Sequence, residues 1–257
     1  MHGLLHRLAR WLCLALVGVP AALAPPAASG QWSAGLFHVY DAVGEGRTDW
    51  QAWSAHVQRR FGRGALIAEV LQARRFGATD EALALDAWAD LWHGAYANVR
   101  VQTALSTPRI LPRRDVYAEV YQGLGPWEAA AHYRLRAYAG ETIHAYGVGL
   151  GLYRGAYYLR ARLTLTPRLG RTGWAQTLTV RRYWNAPLEF VEVLAGRGRA
   201  IEIVDVGPVI RLTRTAVVAL RVQRFVTPRL GLTAGLAYSD DDFFTRQSLT
   251  LGLLARW

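Results

Sequence analysis

The sequence predicts an all-β fold: a transmembrane antiparallel up-and-down β-barrel of about 14 strands, preceded by a cleavable signal peptide. Three observations predict it. Residues 31–257 break into extended segments of roughly nine to thirteen residues, near the 9–11 that a tilted strand needs to cross a hydrocarbon core. Those segments alternate apolar with polar residues, and aromatics gather at their ends. The chain closes on RQSLTLGLLARW, where Leu249, Leu251, Leu253, Ala255 and Trp257 share one face. Arg246, Ser248, Thr250, Gly252 and Arg256 share the other, with Leu254 the single apolar exception. Side chains alternate across a strand with period two, so this is an apolar face backed by a small and polar one.

Residues 1–30 read as a signal peptide and 31–257 as the barrel domain. His2, His6, Arg7 and Arg10 make a basic start, and Trp11 to Leu23 is an apolar run too short to span a bilayer. Cleavage is expected after Ala28-Ser29-Gly30, because Pro25 disfavours a cut after Ala24. The one cysteine, Cys13, lies in that run, so the mature chain has no disulfide framework and no thiol nucleophile. Past residue 30 no apolar run is long enough for a membrane helix. An integral form must then be a closed barrel, since lipid cannot satisfy open strand edges.

The segments follow in order. Trp32 to Tyr40 leads through a polar loop, Asp41 to Asp49, into Trp50 to Phe61. Gly62-Arg63-Gly64 turns into Ala65 to Phe76, and Gly77 to Asp80 connects to the Ala-rich stretch Glu81 to Trp92. There Leu83, Leu85, Ala87, Ala89 and Leu91 alternate with Asp86, Trp88, Asp90 and Trp92, which favours a strand over a helix. His93-Gly94 turns into Tyr96 to Ser106, and Pro108 and Pro112 mark a loop from Thr107 to Arg114. Asp115 to Gly123 turns at Gly125-Pro126 into Trp127 to Tyr138, and Ala139-Gly140 turns into Thr142 to Tyr153. In that last segment Gly147, Gly149 and Gly151 keep one face small, as where something packs closely or the wall bends.

Arg154-Gly155 leads to Tyr157 to Thr166, and Pro167 to Gly173 reads as a basic loop. Trp174 to Trp184 turns at Asn185-Ala186-Pro187 into Leu188 to Leu194. Gly196 to about Arg211 reads as the longest irregular stretch, with Ile201 to Val206 as a short extension. Thr213 to Val226 and Leu230 to Tyr238 form a hairpin about Thr227-Pro228-Arg229, and Ser239 to Thr245 is an acidic loop into the final strand. Connections after even-numbered segments are tight and the others mostly longer, the asymmetry of periplasmic turns and external loops. Reassigning the Ala-rich and Leu188 segments would leave twelve strands.

Alternation alone leaves open whether the apolar face points at lipid or, as in a soluble exported all-β binding protein, inward. Aromatics at segment ends, among them Trp32, Tyr40, Phe61, Trp127, Tyr153, Trp174, Tyr238 and Trp257, favour lipid, with two interfacial girdles.

Several stretches carry a family resemblance: RRFGRGALIAEVLQARRFG (Arg59 to Gly77), DVYAEVYQGL (Asp115 to Leu124), RRYWN (Arg181 to Asn185), FVTPRLGLTAGLAYS (Phe225 to Ser239) and SLTLGLLARW. Together they resemble the YaiO-type outer-membrane β-barrel family over essentially Trp32 to Trp257. The resemblance implies an outer-membrane location and a barrel fold, and transfers no site residues. The resemblance implies that longer relatives carry a helical-repeat region before the barrel, which this sequence is expected to lack.

With apolar faces on lipid, the polar faces converge in a lumen. They bring Glu69, Asp86, Asp90, Glu119 and Glu128 together with Arg100, Arg134, Arg136, Arg160, Arg162, Arg181, Arg221 and Arg256. A salt-bridged lumen that stiffens the barrel is one expectation, and an anion-attracting passage is the other. The function expected is thus an envelope-structural protein or a narrow channel or export component. The alternative is a lipid-modifying enzyme of deacylase or phospholipase type, but of His38, His56, His93, His132 and His144 only His132 is clearly lumenal, and no GxSxG occurs.

No metal spacing and no cofactor motif is present, and Asp240-Asp241-Asp242 reads as a solvated loop. All 30 basic residues are arginines scattered singly or in pairs, which argues against nucleic acid despite the net charge of +11. The expected partners are outer-membrane lipids and lipopolysaccharide, with the barrel-assembly machinery during biogenesis, and the expected state is a monomer. Leu249, Leu251, Leu253 and Trp257 are expected to carry barrel closure and assembly.

Overall fold

A computed structural model describes residues 32–168, 171–184, 186–207 and 209–257; the expected signal peptide, residues 1–30, lies outside them. The period-two pattern becomes strands throughout: β1 (Trp32–Val43), β2 (Trp50–Phe61), β3 (Gly64–Arg75), β4 (Ala78–Asp90), β5 (Ala95–Ala104), β6 (Arg114–Leu124) and β7 (Trp127–Ala137). They continue as β8 (Thr142–Arg154), β9 (Tyr157–Arg168), β10 (Arg171–Trp184), β11 (Ala186–Asp205), β12 (Val209–Phe225), β13 (Leu230–Asp241) and β14 (Thr245–Arg256). Each pairs antiparallel with the next and β14 with β1, giving a closed barrel of fourteen strands among the described residues. The Ala-rich segment is strand β4, so the twelve-strand alternative falls.

Closure is complete at both ends of the seam. Leu36 faces Leu253, His38 faces Leu251 and Tyr40 faces Leu249. Trp32 N–H donates to the Trp257 carbonyl at 3.1 Å and Trp257 N–H to the Trp32 carbonyl at 3.0 Å. No open edge remains for lipid to leave unsatisfied. Leu249, Leu251 and Leu253 point outward and are exposed, as are Leu83, Leu85, Val99, Val148, Leu163, Leu178, Val218, Leu220, Leu232 and Leu236 on other strands. Apolar residues exposed on every side, with carboxylates buried within, are the inverse of a soluble barrel. The hydrophobic band faces lipid.

Trp32, Trp257 and the shortest turns share one end, the periplasmic one by the usual barrel asymmetry. At the opposite, outer mouth the structure corrects the sequence in two places. The expected basic loop 167–173 is largely strand, since β9 runs to Arg168 and β10 begins at Arg171. The stretch expected to be irregular, 196–211, is the continuation of β11 and β12, which at 20 and 17 residues are the longest strands of the barrel.

This long hairpin lies across the mouth. β11 stands diametrically opposite β4 in the closed order, yet Gly207 N–H donates to the Arg109 carbonyl at 3.0 Å in the β5–β6 loop. Val206 packs against the apolar group of Ala73, Ala78 and Ile110, and Arg47 donates to the Val204 carbonyl at 3.0 Å. Ile201 and Ile210 are buried with Tyr138 and Ile143 at the β7–β8 rim. Both faces of the hairpin meet protein, so the alternation that marks a lipid-facing strand fades there.

Candidate functional site

The lumen is the candidate site, and its most elaborate feature rests on Glu119. The inward positions of β6 through β9 are set against one another by register: Tyr117 opposite Arg134, Glu119 opposite His132, His132 opposite Gly147, Gly149 opposite Arg162. Glu119 is only 2% exposed. Its carboxylate accepts from the Tyr117 hydroxyl at 2.6 Å, from the Tyr121 hydroxyl, from Arg160 at 2.5 Å and from Arg162 at 2.9 and 3.0 Å. A buried carboxylate is tolerated only when paired and hydrogen-bonded, and here both oxygens are saturated.

Arg160 and Arg162 reach Glu119 across two intervening strands because those strands are kept low. A Cβ on Gly147 would sit 2.1 Å from the His132 ring, one on Gly151 2.9 Å from the Tyr158 ring, and one on Gly149 3.4 Å from Arg160. The glycine face of β8 is thus the floor on which these large side chains lie flat.

Further pairs extend the charged wall. Glu128 accepts from Tyr96 at 2.6 Å and Tyr158 at 2.8 Å. Arg100 pairs with Glu69 at 2.6 Å and lies 4.0 Å from Asp86, which accepts from Asn98 at 2.6 Å. Arg134 grips Asp115 with two nitrogens, at 2.9 and 2.5 Å. Toward the periplasmic end Glu192 joins Arg181, and Arg221 at 2.9 Å. Asp115 and Glu192, absent from the predicted charge set, are the partners sequence reasoning missed. Only their inward register, next to arginine-bearing strands, signals them.

Three predicted residues stand apart from these pairs. Asp90 is exposed at the periplasmic end of β4, where its N–H donates to the Arg63 carbonyl. Arg136 lies at the outer rim by Tyr138, beneath the hairpin. Arg256 donates to the Pro228 carbonyl at 2.6 Å and lies over the Phe225 ring at the periplasmic rim.

The wall from β12 to β14 is different. Its inward positions near mid-barrel are Val217, Ala219, Gly235, Ala237, Ser248 and Thr250, small and uncharged, and each is only partly buried. Above both walls the mouth is roofed by the β11–β12 hairpin. Trp50, Phe76 and Phe244 support it from beneath, with Arg47 against the Phe76 and Phe244 rings.

One arrangement has the outline of a hydrolytic triad: His132 Nε2 lies 3.1 Å from Thr164 Oγ1, and its Nδ1 lies 3.8 Å from Glu119. The second distance is too long for a hydrogen bond, and both Glu119 oxygens are occupied by tyrosines and arginines. His132 Nδ1 has no hydrogen-bond partner among the described residues, so nothing in this arrangement orients the imidazole as a base. No set of three metal-ligating side chains gathers among the described residues.

No curated protein matches this sequence. Two solved proteins share the fold. A bacterial polysaccharide outer membrane secretin is 8% identical over 89% of this chain and 99% of that one, with a TM-score of 0.54. Omp33 of Acinetobacter baumannii is 12% identical over 89% of this chain and 99% of that one, at 0.53. At such identities the likeness is one of fold alone. The model of the YaiO membrane beta barrel domain matches residues 32–201, which take in the whole of the Glu119 wall, and the chain therefore belongs to the YaiO family of outer-membrane β-barrels.

Proposed function

We propose that this barrel is a narrow, anion-preferring channel whose outer mouth is closed by the β11–β12 hairpin. One observation carries the reading: in the ion pairs within the lumen the arginine is the more exposed partner, and only the Arg168–Glu141 pair at the outer rim reverses this among the described residues. Side-chain exposure is 28% for Arg162 against 1% for Glu119, 45% for Arg134 against 11% for Asp115, and 45% for Arg221 against 12% for Glu192. The carboxylates stand behind and the guanidinium groups face the water. An ion moving along the lumen would therefore meet positive charge first, even where the charges cancel in number. The small wall of β12 to β14 supplies the free cross-section.

The test is conductance in planar bilayers under a salt gradient. Wild-type barrel is expected to conduct little, and a variant with residues 198–214 replaced by a short Gly-Ser turn to conduct steadily with a reversal potential on the anion side. Arg134→Gln with Arg221→Gln in that background should move the reversal potential toward zero. A shortened, folded barrel that stays silent would favour a purely structural barrel, and cation preference would sink the anion assignment.

A further inference from the structure

On the outer surface, three arginines of β11 and β12 face away from the lumen with no carboxylate to pair them. Along β11 the outward positions run Val191, Val193, Ala195 and then Arg197 and Arg199; along β12 they run Leu220, Val218, Ala216 and then Arg214. The arginines thus begin where the apolar band ends, beside the outward Trp174, which lies directly opposite Arg199. This is the outer boundary of the hydrocarbon.

Arg199 and Arg214 are direct cross-strand partners, and Arg171 at the start of β10 joins them around a surface cavity of about 450 Å³ floored by Leu212. Like charges placed directly opposite on a sheet destabilise it unless something neutralises them. Among the described residues seven arginines, from Arg100 to Arg221, make ion pairs with carboxylates, whereas Arg171, Arg197, Arg199 and Arg214 make none although three of them gather at one cavity. Asp242 lines the same cavity, but its Oδ2 accepts from the Arg214 backbone N–H at 2.8 Å. Its neighbour Asp241 caps the β13–β14 turn through the N–H groups of Phe243 and Phe244.

We infer that this cluster is a binding site for the phosphate groups of an outer-leaflet glycolipid, lipopolysaccharide. Guanidinium groups match phosphate oxygens bidentately, and a lipid whose acyl chains lie on the Val193 and Val218 band would bring its headgroup phosphate to this level. Basic pockets at membrane boundaries hold anionic headgroups on the same physical grounds. This site is independent of the lumen and of the channel reading.

The test uses folded barrel in detergent, with bound lipid read by native mass spectrometry. Bisphosphorylated lipid A is expected to bind wild-type protein, and the fully dephosphorylated lipid and inorganic phosphate at equal concentration are not. Arg199→Gln with Arg214→Gln should weaken lipid A binding by about thirtyfold. A control on the opposite rim, Arg182→Gln with Arg224→Gln, should leave binding unchanged. Heat-modifiable gel mobility establishes that each variant is folded. Equal binding of dephosphorylated lipid by wild-type protein would overturn the assignment without recourse to any variant. So would undiminished binding by the folded double variant, and binding of inorganic phosphate as tight as lipid A would exclude the lipid as ligand.

Discussion

The wall from β6 to β9 and the wall from β12 to β14 belong to one sheet and face one lumen, yet they are built in opposite ways. The first carries buried Glu119, Glu128 and His132, with Arg160 and Arg162 hydrogen-bonded over them, in a layer that lies on glycines. The second carries Val217, Ala219, Gly235 and Ala237, with Arg221, opposite Gly235, the charge nearest that level. Their outward faces are alike, because the same lipid meets both. The difference lies wholly inside. One wall gains rigidity from buried carboxylates held by arginines, while the other leaves room that its short side chains cannot fill.

The contrast can be broken most directly at Glu119. Replacing it with Leu leaves Arg160 and Arg162 without their shared carboxylate, at a cost of roughly 3–5 kcal/mol. Ala219→Leu on the thin wall is expected to cost under about 1 kcal/mol, since the added atoms enter the lumen. Urea unfolding in detergent measures both, and equal losses would mean that the two walls are mechanically the same. Outward substitutions should ignore the contrast: Val148→Arg on the thick wall and Leu251→Arg on the thin one should each cost about 2–4 kcal/mol near the midplane. Assembly assayed by heat-modifiable mobility would then fail to a similar degree in both.

Glycines offer a finer probe. Gly147→Ala drives a methyl into His132 and is expected to cost about 1–3 kcal/mol. Gly235→Ala meets nothing closer than 3.4 Å and should be close to neutral. A neutral Gly147→Ala would show that the charged layer is loosely held.

The smallest expected effect concerns the hairpin above both walls. Glu202, in the part of β11 that lies over the mouth, has its carboxyl raised above the ordinary value by burial, with Arg246 and Arg75 opposing and Asp241 reinforcing the shift and Arg136 also opposing it. Its cross-strand neighbour is Arg211. A raised carboxyl favours the protonated form in the closed state, so closure is strongest at acid pH and weakens as pH rises through the raised value. Conductance of wild-type barrel should thus increase modestly from acid to neutral pH, and Glu202→Gln should flatten the profile. An unchanged profile in that variant would remove Glu202 from the latch.

Fourteen strands, their outward faces and the seam between β1 and β14 were legible in the sequence because lipid imposes one demand everywhere. Every outward position must be apolar, and period-two alternation writes that demand into each segment separately. The glycine face of β8 was legible for the same local reason. The pairing inside the lumen was not. Glu119 meets Arg160 and Arg162 only because the register stacks β6 to β9 and β8 is low enough to let them lie over it, and no single segment contains that information. The hairpin was misread as irregular because both its faces pack on protein, which erases the alternation that served everywhere else. Its course across the mouth depends on contacts with Arg109, Val206's apolar neighbours and Tyr138, distant in sequence and brought together only when the barrel closes. The sequence by itself determined the barrel and its lipid surface, whereas the tertiary structure alone decided which charges face water and what covers the mouth.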